Sequence, residues 1–142
     1  MRGRAGTIVI GVDGSPGSEG AVRWAVEQAR RTRAPVRAVM AWQIPTTYGW
    51  APVITVDWAG DARTALNSAV DSALKETGYL DVDREATEGH PAAVLLAAAR
   101  DADLLVVGCR GHGGFTGMLL GSVSQHVVAH ARCPVVVTHD AA

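Results

Sequence analysis

At 142 residues the chain fits one domain, residues 1–142, because a chain of this size can bury roughly two-thirds of its unfolded surface in a single core. Its 13 basic and 14 acidic residues leave a formal net charge of −1, without the basic excess of a nucleic-acid binder, and no apolar run approaches the ~20 residues that cross a bilayer. Neither a nucleic-acid nor a membrane partner is expected.

Thr7 to Val12 (TIVIGV) is a short β-branched run closed by Asp13-Gly14-Ser15-Pro16, which predicts a buried strand and a turn. Ser15 followed by Pro16 predicts a helix start. Ala21, Val22, Ala25, Val26 and Ala29 then recur at helical spacing, opposite Arg23, Glu27 and Arg30, and the helix is expected to end near Arg33. Pro35 breaks it, and Val36 to Trp42 reads as the second strand. The connection from Gln43 to Thr55 holds Tyr48, Trp50 and two prolines; its first reading is an irregular segment packing its aromatics on a sheet end or a partner, its second a lid over a ligand.

A second helix is predicted from Trp58 to Thr77, stopped by Gly78. Val82, Arg84 and Ala86 alternate with Asp83, Glu85 and Thr87, a pattern polar enough for an exposed edge strand. Gly89-His90-Pro91 opens a third helix through Arg100. Leu104 to Val107 has no polar alternation and predicts a strand covered on both faces. A fourth helix runs from Gly121 to about Ala131, and Pro134 to Thr138 is the fifth strand. Strand and helix alternate throughout, so the expected fold is α/β, with a parallel sheet and right-handed crossovers. The edge-like third strand and apolar fourth strand imply the order 3-2-1-4-5, with the ligand crevice beyond the C-terminal ends of strands one and four.

The stretch from Gly108 to Ser124, GCRGHGGFTGMLLGSVS, falls at that crevice. Five glycines lie between Gly108 and Gly117, between a strand and a helix start. Glycine has no Cβ to keep an anion from the backbone N–H groups, and a helix N-terminus adds open donors and a favourable dipole. This predicts a phosphate-bearing ligand. A Walker-type loop is excluded, because Lys75 is the only lysine and Glu76, not Ser or Thr, follows it; no early strand carries the lysine a kinase needs. Ser122 and Ser124 offer hydroxyls at the helix start, Arg110 a guanidinium for phosphate oxygens.

Gly108, two residues, Gly111, nine residues, then Gly121-Ser122 is a G-x2-G-x9-G-S pattern. With VDGSPGS near the start, EGHPAAVLLAAARDADLLVVG before the motif and GSVSQHVVAHARCPVVV after it, the chain resembles the ATP-binding branch of the universal stress protein family over nearly its whole length. The resemblance implies a flavodoxin-like domain, usually dimeric, that binds ATP with a divalent cation, Mg2+ or Mn2+. Val12 and Asp13 would then lie against the adenine, and Ala41 would offer backbone contacts to the base. Gly108 and Gly111 would approach the ribose and α-phosphate, with Val107 before them and Arg110 between. Gly121, Ser122, Val123 and Ser124 would hold the distal phosphates. Cys109 stands where the family more often has serine.

Other constellations read as ordinary structure. His126 and His130 have the spacing of a zinc pair, but HVVAH lacks the glutamate of HExxH and a third ligand, so a surface or interface role is preferred and no metal site is assigned. Cys109 reads as a small buried residue rather than a redox centre. Two cysteines make no disulfide framework and MRGRAG has no apolar leader, so a cytoplasmic protein is expected. No catalytic residue is assigned. The leading expectation is an ATP-binding regulatory protein of the stress response, whose occupancy alters conformation or the binding of a protein partner not identified by sequence, and which forms a homodimer through the fifth strand. The alternatives are a slow ATPase or nucleotidyl-transfer enzyme, a module for AMP or a cyclic nucleotide, and a dimeric scaffold.

Overall fold

The computed structural model describes residues 6–45, 56–109 and 120–139. Nine elements follow in the order β1 (Ile8–Gly11), α1 (Pro16–Thr32), β2 (Val36–Trp42), α2 (Trp58–Thr77), β3 (Val82–Glu88), α3 (Pro91–Ala98), β4 (Leu104–Gly108), α4 (Ser122–His130) and β5 (Val135–Thr138). The five strands form one parallel sheet, β3-β2-β1-β4-β5, as the sequence predicts. Helices cover both faces. Boundaries move by a few residues: α3 stops at Ala98, where Ala99 N–H turns back to Leu95 O and Ala97 O, rather than reaching Arg100. The segment 46–55 lies outside the described residues, so most of the aromatic connection does too.

Strand alternation divides the core into two layers. Ile8, Ile10 and Val106 point to α1 and α2, where they meet Val22, Val26, Leu66 and Val70. Val9, Leu105 and Val107 point the other way, to Leu95 of α3 and Val127 of α4. Central strands buried on both faces therefore read as unbroken apolar runs, whereas edge strand β3 keeps only Val82 buried. Its Arg84 lies along α2 instead, with Nη1 donating to Asn67 Oδ1 at 3.1 Å and Nη2 to Asp71 Oδ1 at 2.8 Å. No helix among the described residues is long and apolar enough to cross a membrane.

Local chemistry sets the helix starts. Ser15 Oγ accepts from Ser18 N at the start of α1, Asp57 Oδ1 from Gly60 N at α2, and His90 Nδ1 from Ala92 N at α3. Each satisfies one of the donors a helix leaves open at its first turn. Helix α4 differs: its N-cap is Gly121, which has no side chain to give.

Candidate nucleotide-binding site

β1 and β4 are neighbours at the centre of the sheet, with Ile8 opposite Leu104 and Ile10 opposite Val106. The strand order reverses there, so the loops that follow them open a crevice at their C-terminal ends. On the β1 side, Val12 N–H donates to Val39 O at 2.9 Å, which carries the chain past the strand end while Val12 stays buried. Asp13 is exposed, and its Oδ1 accepts from Ser15 N at 2.9 Å. The carboxylate thus shapes the turn into α1, in the manner of an aspartate two residues ahead of the N–H it holds. Ser18 Oγ is within 3.3 Å of Asp13 N and donates to Ser15 O at 3.0 Å, so turn and helix start form one hydrogen-bonded unit.

On the β4 side, Cys109 is buried, and its N–H donates to Thr138 O at 2.8 Å while its carbonyl accepts from Gly121 N at 2.6 Å. Ser124 Oγ donates to Gly108 O at 2.6 Å. Two bonds therefore fasten the first turn of α4 directly to the end of β4. The amides of Ser122, Val123 and Ser124 occupy the helix positions that have no intrahelical acceptor, with no side-chain cap among the described residues to occupy them. Those amides and the helix dipole make a cradle for an anion.

The predicted binding residues are distributed unequally. Val107, Gly108, Gly121, Ser122, Val123 and Ser124 are assembled at the junction of β4 and α4, whereas Val12 and Asp13 follow the adjacent strand β1. Ala41 sits one residue before the end of β2, which adjoins β1 on the other side. Arg110 and Gly111 lie outside the described residues. Val107 is buried against the α3 and α4 layer, and Ser124 is buried with its hydroxyl hydrogen already donated, so their side chains serve the frame and Ser122 is the exposed hydroxyl.

Sequence reasoning missed two residues at this junction. A Cβ on Gly108 would come within 2.9 Å of the carbonyl carbon and oxygen of Gly17, so Gly17 on α1 shares the space that Gly108 must leave. Thr138, paired in register with Gly108, keeps a buried Oγ1 with no hydrogen-bond partner among the described residues. Only the register between β4 and β5 reveals it. A separate groove of about 560 Å³ between α3 and β3 is lined by Arg37, Glu85, Thr87, His90 and Asp101, and among the described residues its lining includes neither Gly108 nor Gly121 to Ser124. Of the charged residues that line it, Arg37 and Glu85 are already paired with each other.

Crevice, glycine-flanked strand end and uncapped helix start define a doubly wound α/β protein with an anion cradle at its switch point. The sequence model of the universal stress protein family matches residues 5–139, and the chain belongs to that family. It is 36% identical over 141 residues to the Mycobacterium tuberculosis universal stress protein Rv2623, covering 94% of this chain and 47% of that protein. To a Mycolicibacterium smegmatis universal stress protein it is 38% identical over 133 residues, covering 92% and 44%. The chain thus spans about half the length of the curated relatives it matches. Among solved structures, a universal stress protein in complex with cAMP superposes with a TM-score of 0.70 at 31% identity, over 97% of this chain and 99% of that one. The Archaeoglobus fulgidus protein in complex with dAMP gives 0.67 at 25%, over 96% and 98%. UspA from Lactobacillus plantarum has the same fold, with a TM-score of 0.77 at 24% identity over 96% and 99%.

Proposed function

We propose that the protein is an adenine-nucleotide-binding regulator of the universal stress response whose ligand is ATP with Mg2+ or Mn2+, occupancy altering conformation or partner binding. The observation that carries this reading is the uncapped start of α4, held to the end of β4 behind the glycine-rich stretch. Similar proteins have been solved with cAMP and dAMP, which supports an adenine nucleotide. ATP is preferred because the amides of Ser122, Val123 and Ser124, with the Ser122 hydroxyl, provide for distal phosphates that a monophosphate lacks. No group of three or more His, Cys, Asp or Glu able to hold a metal occurs among the described residues. The cation would therefore enter on the phosphates, as Mg2+ commonly does, and not in a cage of protein ligands.

Calorimetric titration with ATP, AMP and cAMP, each with and without Mg2+, tests the reading. ATP should bind most tightly, and Ser122→Ala should weaken ATP more than AMP. Equal affinity for all three, or no affinity for ATP, overturns the preference. The reading includes action in the cytoplasm, the compartment that supplies ATP, and a homodimer through β5, an edge strand of half-buried valines. Light scattering should give twice the chain mass.

A further inference from the structure

We propose that His126 and His130 on α4 form a two-histidine chelate for a late first-row divalent cation of the Zn2+, Ni2+ or Cu2+ class, a site separate from the nucleotide cradle and independent of the reading above. Both side chains are exposed, four residues apart on the same helical face. Their rings are stacked, with centroids 4.5 Å apart and planes inclined by 25°. Two imidazole nitrogens bound to one tetrahedral ion, at about 2.0–2.1 Å each, are about 3.4 Å apart. In the stacked pair the nitrogen lone pairs lie in nearly parallel planes, so convergence on one ion requires the rings to turn about their side-chain torsions, on a face where both residues are exposed.

A second feature sets the donor atom. His130 Nδ1 lies 2.9 Å from the His126 carbonyl oxygen. A carbonyl can only accept, so Nδ1 carries the hydrogen, and in the neutral ring the lone pair is left on Nε2. This is how metal-ligating histidines are commonly prepared: one nitrogen donates to a backbone carbonyl, which fixes the tautomer and orients the other nitrogen for the ion. Here the acceptor belongs to the other histidine of the pair, so the helix turn that spaces the two ligands also orients one of them. Imidazole donors select Zn2+, Ni2+ and Cu2+ over Mg2+. No third protein ligand completes a cluster among the described residues, and the remaining coordination positions are left to solvent or an incoming ligand. An ion chelated across one turn ties His126 to His130 and stabilises the C-terminal half of α4.

The experiment is calorimetric titration of the full chain with ZnCl2, for wild type, His126→Asn, His130→Asn and, as a control, His139→Asn. Each α4 substitution should weaken zinc binding at least about tenfold, while His139→Asn leaves it unchanged and excess Mg2+ does not compete. Long-range 1H–15N spectra should show zinc-dependent shifts of the Nε2 resonances of His126 and His130 together. Because both positions are exposed, circular dichroism should report an unaltered fold in every variant. Absence of zinc binding in the wild type overturns the proposal. So does binding that survives both α4 substitutions, or zinc-insensitive ring resonances, since either puts the ion on other groups.

Discussion

Gly108 was expected to be glycine for the ligand's sake, and the structure adds a reason internal to the fold. Its missing Cβ is the space occupied by the backbone of Gly17, so Gly108→Ala should lower stability by about 1–3 kcal/mol through overpacking against backbone that cannot step aside. A thermal shift measured without nucleotide isolates that cost from any loss of binding. Ser122 and Ser124 separate in the same way. Ser124→Ala removes the buried hydroxyl that donates to Gly108 O and should cost about 1–2 kcal/mol. Ser122→Ala, at an exposed hydroxyl, should leave stability within about 0.5 kcal/mol and change nucleotide affinity alone. The motif placed both serines at the helix start, which they occupy. Which of them faces inward depends on how α4 is tied to β4, and no local pattern encodes that contact.

Among the elements, the strands were the most legible because burial on one or both faces leaves a direct record in polarity. Leu104 to Val107 reads as central and Val82 to Thr87 as an edge for that reason. What the polar alternation of β3 does not disclose is the pairing of its charges, which needs the register with β2: Arg37 stands opposite Asp83, two residues before Glu85, and donates to Glu85 Oε1. That hydrogen bond, aided by Thr87 and opposed by desolvation, holds the Glu85 carboxyl below its ordinary value of 4.5. A carboxyl depressed on folding adds stability that is present above the unfolded value and is lost as pH falls through the folded one. Both side chains are more than a third exposed, at 35% and 47%, so solvent screening holds the effect to a few tenths of a kcal/mol. Urea unfolding between pH 6 and 3 should show a shallower acid loss for Glu85→Gln than for wild type. Equal slopes would remove the pair from the stability of β3. Helix ends were less legible than strands: the three side-chain caps at Ser15, Asp57 and His90 follow familiar residue types only for the first two, since histidine is not among the preferred capping residues.

For the molecule entire, one sheet serves two separate apolar layers. Leu66 lies in the layer with α1 and α2, Leu105 in the layer with α3 and α4, and both are essentially inaccessible to solvent. Each Leu→Ala change should cost about 2–5 kcal/mol. Because the two residues share no cluster, the double variant should equal the sum within about 0.5 kcal/mol in urea denaturation. A larger departure would show that the sheet transmits strain between its faces. The strand order itself was recoverable from sequence because burial between the two layers leaves β4 wholly apolar, whereas the edge strand β3 alternates with polar residues. The crevice floor was not, since it is made where residues remote in sequence converge: Gly17 against Gly108, Thr138 beside it, Gly121 beneath Cys109.

The central place of β4 also has a kinetic side. β1 pairs on one flank with β2, which follows it after a single helix, and on the other with β4, which arrives only after two further strands and three helices have been passed. Closing so long a loop is entropically costly and slow, so the half from β1 through β3 has the local contacts needed to organise first, and β4 docks onto it. Substitutions at Val22 or Val26 should then slow refolding, whereas those at Val127 should act chiefly by speeding unfolding, a contrast that stopped-flow chevrons for the two sets would display. Since the anion cradle is fastened to β4, it is built in the last stage of folding, and a nucleotide that binds there would act as a brake on unfolding and leave the rate of folding unaltered.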